Sequence, residues 1–131
     1  MTTTRKEYVP GVCNIGPAEI RRRRQSGWLG LAVTIIAGAV LLLFRVPSPW
    51  LLLLFLPATL GATGFFQAAF HFCANFGMRG VFNFGPDVGK TDTVEQAEFR
   101  AKDRRRAKLI GLYSMLVGAA VAIAGLFAAR A

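Results

Sequence analysis

The chain has 131 residues, of which 53% are hydrophobic, and its formal net charge at pH 7 is +9. A soluble domain of this length needs more polar surface, so the composition argues against a soluble globular fold. The basic balance gives a pI near 10.8, but the chain has no recognised nucleic-acid-binding motif and its arginine clusters adjoin long apolar segments. We therefore expect no nucleic-acid partner.

Three apolar segments predict an all-α membrane protein with three transmembrane helices. They cover about residues 27–44, 50–72 and 109–129. Roughly 20 apolar residues of helix cross a bilayer. None of the segments shows the polar face at period 3.6 that a helix on the surface of a soluble protein carries. We expect a flexible cytoplasmic tail at residues 1–12 and a single membrane domain at residues 13–131.

The distribution of charge predicts how the chain is threaded. Of its 16 basic residues, all except Arg45 and Arg130 precede the first apolar segment or lie between the second and third. Basic residues near the ends of spans stay in the cytoplasm. The N-terminus and the inner loop, residues 73–108, are therefore expected inside, and the C-terminus outside. The expected location is the inner membrane of a bacterium.

Local signals predict where the helices start and turn. Pro17 suits the first position of a helix, and Glu19 complements the helix dipole in the first turn, so the first helix should begin at Pro17. Pro47 and Pro49 predict a tight reversal between the first two spans.

A capping pattern predicts the start of the last helix. Asp92 or Thr93 is a suitable cap, with Glu95 or Gln96 three residues later. No Gly or Pro follows before the third span. We expect one helix that begins at about residue 93 in the cytoplasm and continues through the membrane.

Two clusters of basic residues should contact anionic lipid headgroups. Each basic residue near an anionic leaflet contributes about 1 kcal/mol of attraction. The clusters would therefore set the depth and orientation of the chain. Their members are Arg21, Arg22, Arg23, Arg24, Arg104, Arg105, Arg106 and Lys108.

Small residues at spacings of three and four predict close helix packing. Small side chains let helix backbones approach each other in a membrane. We expect the first span to pack against the third, or these faces to contact a second copy or another protein. The residues are Gly27, Gly30, Thr34 and Gly38 in the first span, and Gly111, Ser114, Gly118, Ala122 and Gly125 in the third.

Phenylalanines crowd the start of the inner loop, which is unusual for a segment in water. Phe72, Phe76, Phe82 and Phe84 either pack back on the helix ends of this chain or form a contact surface for a partner.

Cys13, His71 and Cys73 all fall at the predicted inner interface. Thiolate and imidazole are ligands that suit zinc or copper. These three residues are therefore candidates for a thiol or metal site. Because there is no CxxC motif and no second histidine, we expect no cofactor and no catalytic residue.

Residues 13–77 resemble the small two-span inner-membrane domain that occurs alone or attached to rhodaneses. The resemblance rests on Asn14-Ile15-Gly16, an arginine-rich helix start, the two-span hairpin, and Thr63-Gly64-Phe65 leading to Cys73. It implies a helical hairpin in the inner membrane and an association with sulfur chemistry. The composition of the whole chain is similar to that of short, arginine-rich membrane proteins of high-GC bacteria.

The middle of each span lacks the ionisable side chains that transporters and pumps use. We therefore expect a non-enzymatic accessory, assembly or scaffold subunit that contacts a larger membrane complex or another copy of itself. One alternative is an oligomeric small transporter or channel. A further alternative is a membrane thiol or metal-site protein.

Overall fold

The computed structural model describes residues 8–130, which are mostly helical. The elements are α1 (Pro17–Leu43), a 3-10 helix (Ser48–Leu54), α2 (Phe55–Phe70), α3 (Ala74–Arg79), β1 (Val81–Phe82), β2 (Asp92–Thr93) and α4 (Ala97–Arg130).

Three of the helical segments are long and apolar enough to cross a membrane, which confirms that prediction. They are Pro17–Leu43, Ser48–Phe70 and Ala97–Arg130. The first helix begins at Pro17 with Glu19 in its first turn, as predicted. The chain is therefore mostly helical, and its three long apolar helices are consistent with a multi-pass membrane protein.

The second segment has two parts and ends slightly earlier than predicted. It begins as the 3-10 helix, whose first turn contains Pro49, and becomes α-helical at Phe55. It ends at Phe70 because His71 adopts a left-handed conformation (φ 55°), and the His71 N–H bonds back to Gln67 O. Leaving the helical region at His71 turns the chain away from the axis of α2.

The predicted start of the last helix at about residue 93 is wrong, because α4 begins at Ala97. Asp92 and Thr93 instead pair with Phe82 and Val81 in an antiparallel hairpin. The hairpin continues with a 2.8 Å hydrogen bond from Val94 N–H to Gly80 O. The two residues that were expected to cap the last helix are therefore held in a strand by pairing with a segment about ten residues earlier. The continuity of this helix with the third span is confirmed.

The expected packing of the first span against the third is not observed. Both α1 and α4 pack against α2, and they barely contact each other. A Cβ on Gly30 of α1 would overlap the backbone of Gly61 in α2, and a Cβ on Gly118 of α4 would overlap the Thr59 side chain. The middle helix carries small residues on more than one face, and this allows both neighbours to approach it.

Residues 8–26 and 71–108 come together at one end of the helices, which we call the loop end. Its core contains two apolar clusters. These are Ile15, Ile20, Ala68, Cys73 and Phe76, and Phe72, Ala107 and Ile110.

Candidate functional site

A network of buried polar side chains fastens the segments of the loop end to one another. Asn14 is fully buried and bonds twice to Cys73. The Asn14 side-chain amide donates to Cys73 O (3.1 Å), and the Cys73 N–H donates to Asn14 Oδ1 (2.6 Å). This reciprocal pair ties the segment before α1 to the junction between α2 and α3.

Asn83 ties the hairpin to the start of α1. The Gly16 N–H donates to Asn83 O (2.8 Å), and the Asn83 N–H donates to Asn14 O (3.0 Å). A Cβ on Gly16 would lie 3.0 Å from Phe84 Cα, so a residue without a side chain suits this close approach. The start of α1 is thus held on two sides.

The carboxylate of Glu19 is the centre of the network. Its Oε1 accepts from Arg23 Nη1 (2.8 Å), and its Oε2 accepts from Asn83 Nδ2 (2.8 Å) and from the Gly89 N–H (2.7 Å). Burial acts to raise the pKa of Glu19, but these hydrogen bonds and the Arg23 charge outweigh burial and lower the pKa below its ordinary value. Glu19 precedes the apolar part of α1, which begins at Gly27.

Arg23 turns away from its basic cluster and into this network. Its Nη2 lies 2.9 Å from Cys73 Sγ, and its guanidinium lies 5.4 Å from the centre of the Phe76 ring. The neighbouring Arg21, Arg22 and Arg24 are exposed. One predicted headgroup ligand is therefore a structural residue, and the other three face outward.

A cavity of about 630 Å³, here called the α1–α2 cavity, opens beside the network. It is bounded by the end of the charged part of α1, by α2, by the start of α3 and by the 88–89 segment. Its lining includes Glu19, Arg22, Arg23, Ser26, Leu60, Gln67, Cys73 and Asn75. The lining therefore combines charged and polar side chains with apolar ones such as Leu60.

A second polar contact holds the N-terminal segment on α4. Asp103 is fully buried and accepts from the Tyr8 hydroxyl (2.6 Å) and from the Gly11 N–H (2.7 Å). Burial, the hydrogen bond to Asp103 and the charge of Asp103 all raise the pKa of Tyr8. The Tyr8 ring also stacks on Phe82, with 4.9 Å between ring centres. Residues 1–7 of the predicted tail lie outside the described residues.

Cys13, His71 and Cys73, the candidates for a thiol or metal site, lie in different environments. Cys73 is buried in the network, whereas the Cys13 thiol lies 3.7 Å from Ile15 O. His71 ends α2, and its backbone oxygen accepts from the Asn14 N–H (3.2 Å). Among residues 8–130, no group of three His, Cys, Asp or Glu side chains is arranged to hold a metal ion.

The second basic cluster is also divided. Arg104, Arg105 and Lys108 are exposed. The guanidinium of Arg106 is half-buried and lies 4.6 Å from the centre of the Phe70 ring.

The phenylalanines of the inner loop differ in burial. Phe72 and Phe76 lie in the core of the loop end, whereas Phe82 and Phe84 are half-buried and contact each other, with 6.1 Å between ring centres.

The small residues divide between two interfaces with α2 and its 3-10 extension. Gly27 and Gly30 lie against Phe65 and Gly61, while Gly118 and Gly125 lie against Phe55 and Leu54. Ser114 and Ala122 are buried in the second interface, and Thr34 bonds to the backbone oxygen of Gly30 (2.7 Å). A Cβ on Gly38 would make only ordinary contacts, and one on Gly111 would meet nothing within 4 Å.

Sequence reasoning missed the polar residues that build the network, which are Tyr8, Asn14, Glu19 as a buried group, Gln67, Asn83 and Asp103. One available signal was that Glu19 and Asp103 are acids inside strongly basic segments. The partners of each acid lie far away in the sequence and carry no local pattern.

Comparisons of the chain with protein-family models, curated proteins and solved structures found no match. The similarity of residues 13–77 to the two-span domain attached to rhodaneses therefore stays a prediction.

Proposed function

We propose that this chain is a small accessory, assembly or scaffold subunit of the bacterial inner membrane, and that it acts by helix contact. Its N-terminus and loop end lie in the cytoplasm, and its C-terminus lies outside. The distribution of Lys and Arg supports this orientation. The partner is a larger membrane complex or a second copy of the chain.

The observation that carries the proposal is an open groove along α2. Because α1 and α4 flank α2 with little contact between them, one face of α2 lies at the bottom of a cleft of about 130 Å³. On the floor, α2 contributes Ala58, Gly61, Ala62 and Phe65, and the walls include Leu31, Thr34, Val117 and Val121.

Such a groove suits a helix better than it suits catalysis. Its surface is almost entirely apolar, so it offers no acid, base or nucleophile to a substrate. Three of the four floor residues are Ala or Gly, so another transmembrane helix can approach closely over them and gain dispersion contacts that lipid chains satisfy less well. This is the kind of contact that holds subunits together in a membrane.

Filling the groove tests the proposal. Ala62→Leu places a larger side chain on the groove floor, and Ala120→Leu makes the same change at an exposed position of α4. Native mass measurement after gentle solubilisation should find the unmodified chain and Ala120→Leu in a complex. Ala62→Leu should shift toward the monomer.

Two outcomes would contradict the proposal. In the first, the unmodified chain runs as a lone monomer with no co-purifying subunit. In the second, the two leucine variants dissociate to the same extent.

A further inference from the structure

The α1–α2 cavity lies where the charged and apolar parts of the helices meet. Arg22 and Ser26 precede the apolar segment that begins at Gly27, whereas Leu60 is 68% exposed on the apolar part of α2. A molecule in this cavity would contact a basic surface at one end and a hydrocarbon surface at the other. The headgroup region of a bilayer has the same arrangement.

The charges around the cavity leave one cation without a counterion. Arg23 is paired with Glu19, and both carboxylate oxygens of Glu19 already accept hydrogen bonds from the protein. Arg22 is exposed at the cavity and forms no ion pair within residues 8–130. The cavity therefore has a surplus positive charge at its mouth.

Gln67 contributes an amide donor that the protein leaves unused and that is accessible from the cavity. The residue is 8% exposed and lines the cavity. Its Oε1 accepts from the Ala74 N–H (2.7 Å), and this bond fixes which end of the amide is the oxygen. The Nε2 group has no partner among the described residues. Because this NH₂ group is open to the cavity, it can donate to an acceptor that enters from outside the chain.

A surplus arginine and an unused amide donor together select an oxygen-rich anion. Arginine binds phosphate oxygens with two parallel hydrogen bonds, which gives it an advantage over other cations at such sites. The volume of about 630 Å³ lies within the range of small-molecule pockets. The exposed Leu60 would accommodate a carbon chain attached to the phosphate.

We propose that the α1–α2 cavity binds a phosphate group, with Arg22 and Gln67 Nε2 as its donors. The phosphate belongs to an anionic phospholipid headgroup or to free phosphate. The site is complete in one copy of the chain, so it does not depend on the groove described above.

The test uses the full chain in a maltoside detergent, which contains no phosphate. Phosphatidylglycerol, diacylglycerol with the same acyl chains, and inorganic phosphate are added separately, and the bound fraction is measured by native mass spectrometry. Phosphatidylglycerol should bind and diacylglycerol should not. Displacement of phosphatidylglycerol by inorganic phosphate would identify free phosphate as a ligand, and resistance to displacement would identify the lipid.

Variants separate the site from general attraction to basic residues. Arg22→Gln removes the cavity arginine and should weaken phosphate binding about tenfold, because it removes charge-assisted hydrogen bonds. Arg24→Gln removes an exposed neighbouring arginine outside the cavity lining and should leave binding unchanged. Gln67→Glu keeps the acceptor for the Ala74 N–H but replaces the donor by an anion, so it should also weaken binding.

Three results would overturn the proposal. The first is binding of diacylglycerol as strong as that of phosphatidylglycerol. The second is an equal loss of binding in Arg22→Gln and Arg24→Gln. The third is the failure of both phosphatidylglycerol and inorganic phosphate to bind the unmodified chain.

Discussion

Glu19 shows how one buried carboxylate organises the loop end. Its side chain is 1% exposed, yet each oxygen has a donor, and the donors come from α1 itself, from Asn83 and from Gly89. A buried charge is tolerable only when it is paired and hydrogen-bonded in this way. The ion pair with Arg23 lies within α1, and the hydrogen bonds from Asn83 and Gly89 link the start of α1 to the segment after β1.

Replacing this carboxylate should destabilise the chain and change its response to acid. Glu19→Gln leaves the Arg23 guanidinium, whose side chain is 15% exposed, without its counterion, and should cost about 3 kcal/mol. Thermal unfolding in mild detergent measures the loss. Glu98→Gln, at an exposed position near the start of α4, is the matched control and should have little effect.

The pH dependence follows from the lowered pKa of Glu19. A carboxyl whose pKa is lower in the folded state contributes stability that is complete above its ordinary pKa and is lost as the pH falls through the folded pKa. The unmodified chain should therefore lose part of its thermal stability as the pH falls below about 4. Glu19→Gln should lose less over that range, and a parallel loss in both proteins would contradict this role.

Tyr8 provides a second test at a single residue. Tyr8→Phe keeps the ring that stacks on Phe82 but removes the hydroxyl donor to the buried Asp103 carboxylate. The expected cost is about 1–3 kcal/mol, because a buried charged acceptor loses a donor. Limited proteolysis should also cut the segment before α1 faster. Tyr113→Phe, at an exposed position, should change neither property.

The α1–α2 pair depends on glycines at defined heights along the helix. A Cβ on Gly30 would lie 2.7 Å from Gly61 N and 3.1 Å from Pro57 O, and these are backbone atoms that cannot rotate away. At Gly38 the nearest atom would be the Leu54 side chain at 3.7 Å, which is an ordinary contact. Two glycines on one face therefore have different structural importance.

Alanine substitutions should separate these two positions. Gly30→Ala forces α1 and α2 apart and should destabilise the chain by about 1–3 kcal/mol, the usual cost of overpacking. Gly38→Ala should be neutral or slightly stabilising, because alanine favours a helix over glycine. Unfolding in mild detergent compares the two. An equal loss in both variants would show that the close approach at Gly30 is not what holds the pair.

The last helix illustrates a limit of local signals. Asp92 and Thr93 have the composition of a helix cap, but the structure uses them as a strand paired with Val81 and Phe82. A cap contributes about 1 kcal/mol, whereas the hairpin also brings Asn83 and Gly89 to Glu19. The sequence correctly predicted a long last helix but placed its start too early. The strand pairing that delays the start involves residues that are distant in the sequence, so no local signal reveals it.

The threading of the whole chain is open to a direct test. The predicted orientation places the turn around Ser48 outside and the exposed Lys90 inside. Ser48→Cys in intact cells should react with a membrane-impermeant thiol reagent, and Lys90→Cys should react only after the membrane is opened. The unmodified chain, with Cys13 and Cys73, measures the background. The reverse pattern would refute the orientation.

The number, approximate length and apolar character of the long helices follow from local composition, because each segment meets the length that a bilayer requires whatever the others do. The start of α1 at Pro17 is equally local. The sequence also placed several members of the site, Cys73 and the arginines, at the correct end of the molecule, although it did not connect them.

The connections arise only when distant segments pack together. Asn14 meets Cys73, Glu19 meets Gly89, and Tyr8 meets Asp103 across separations of 59, 70 and 95 residues. No periodicity or motif encodes such pairs, since each depends on the space that other side chains leave. Tertiary packing also decides that α2 lies between α1 and α4. It likewise decides that Arg23 points away from its basic neighbours and toward Cys73.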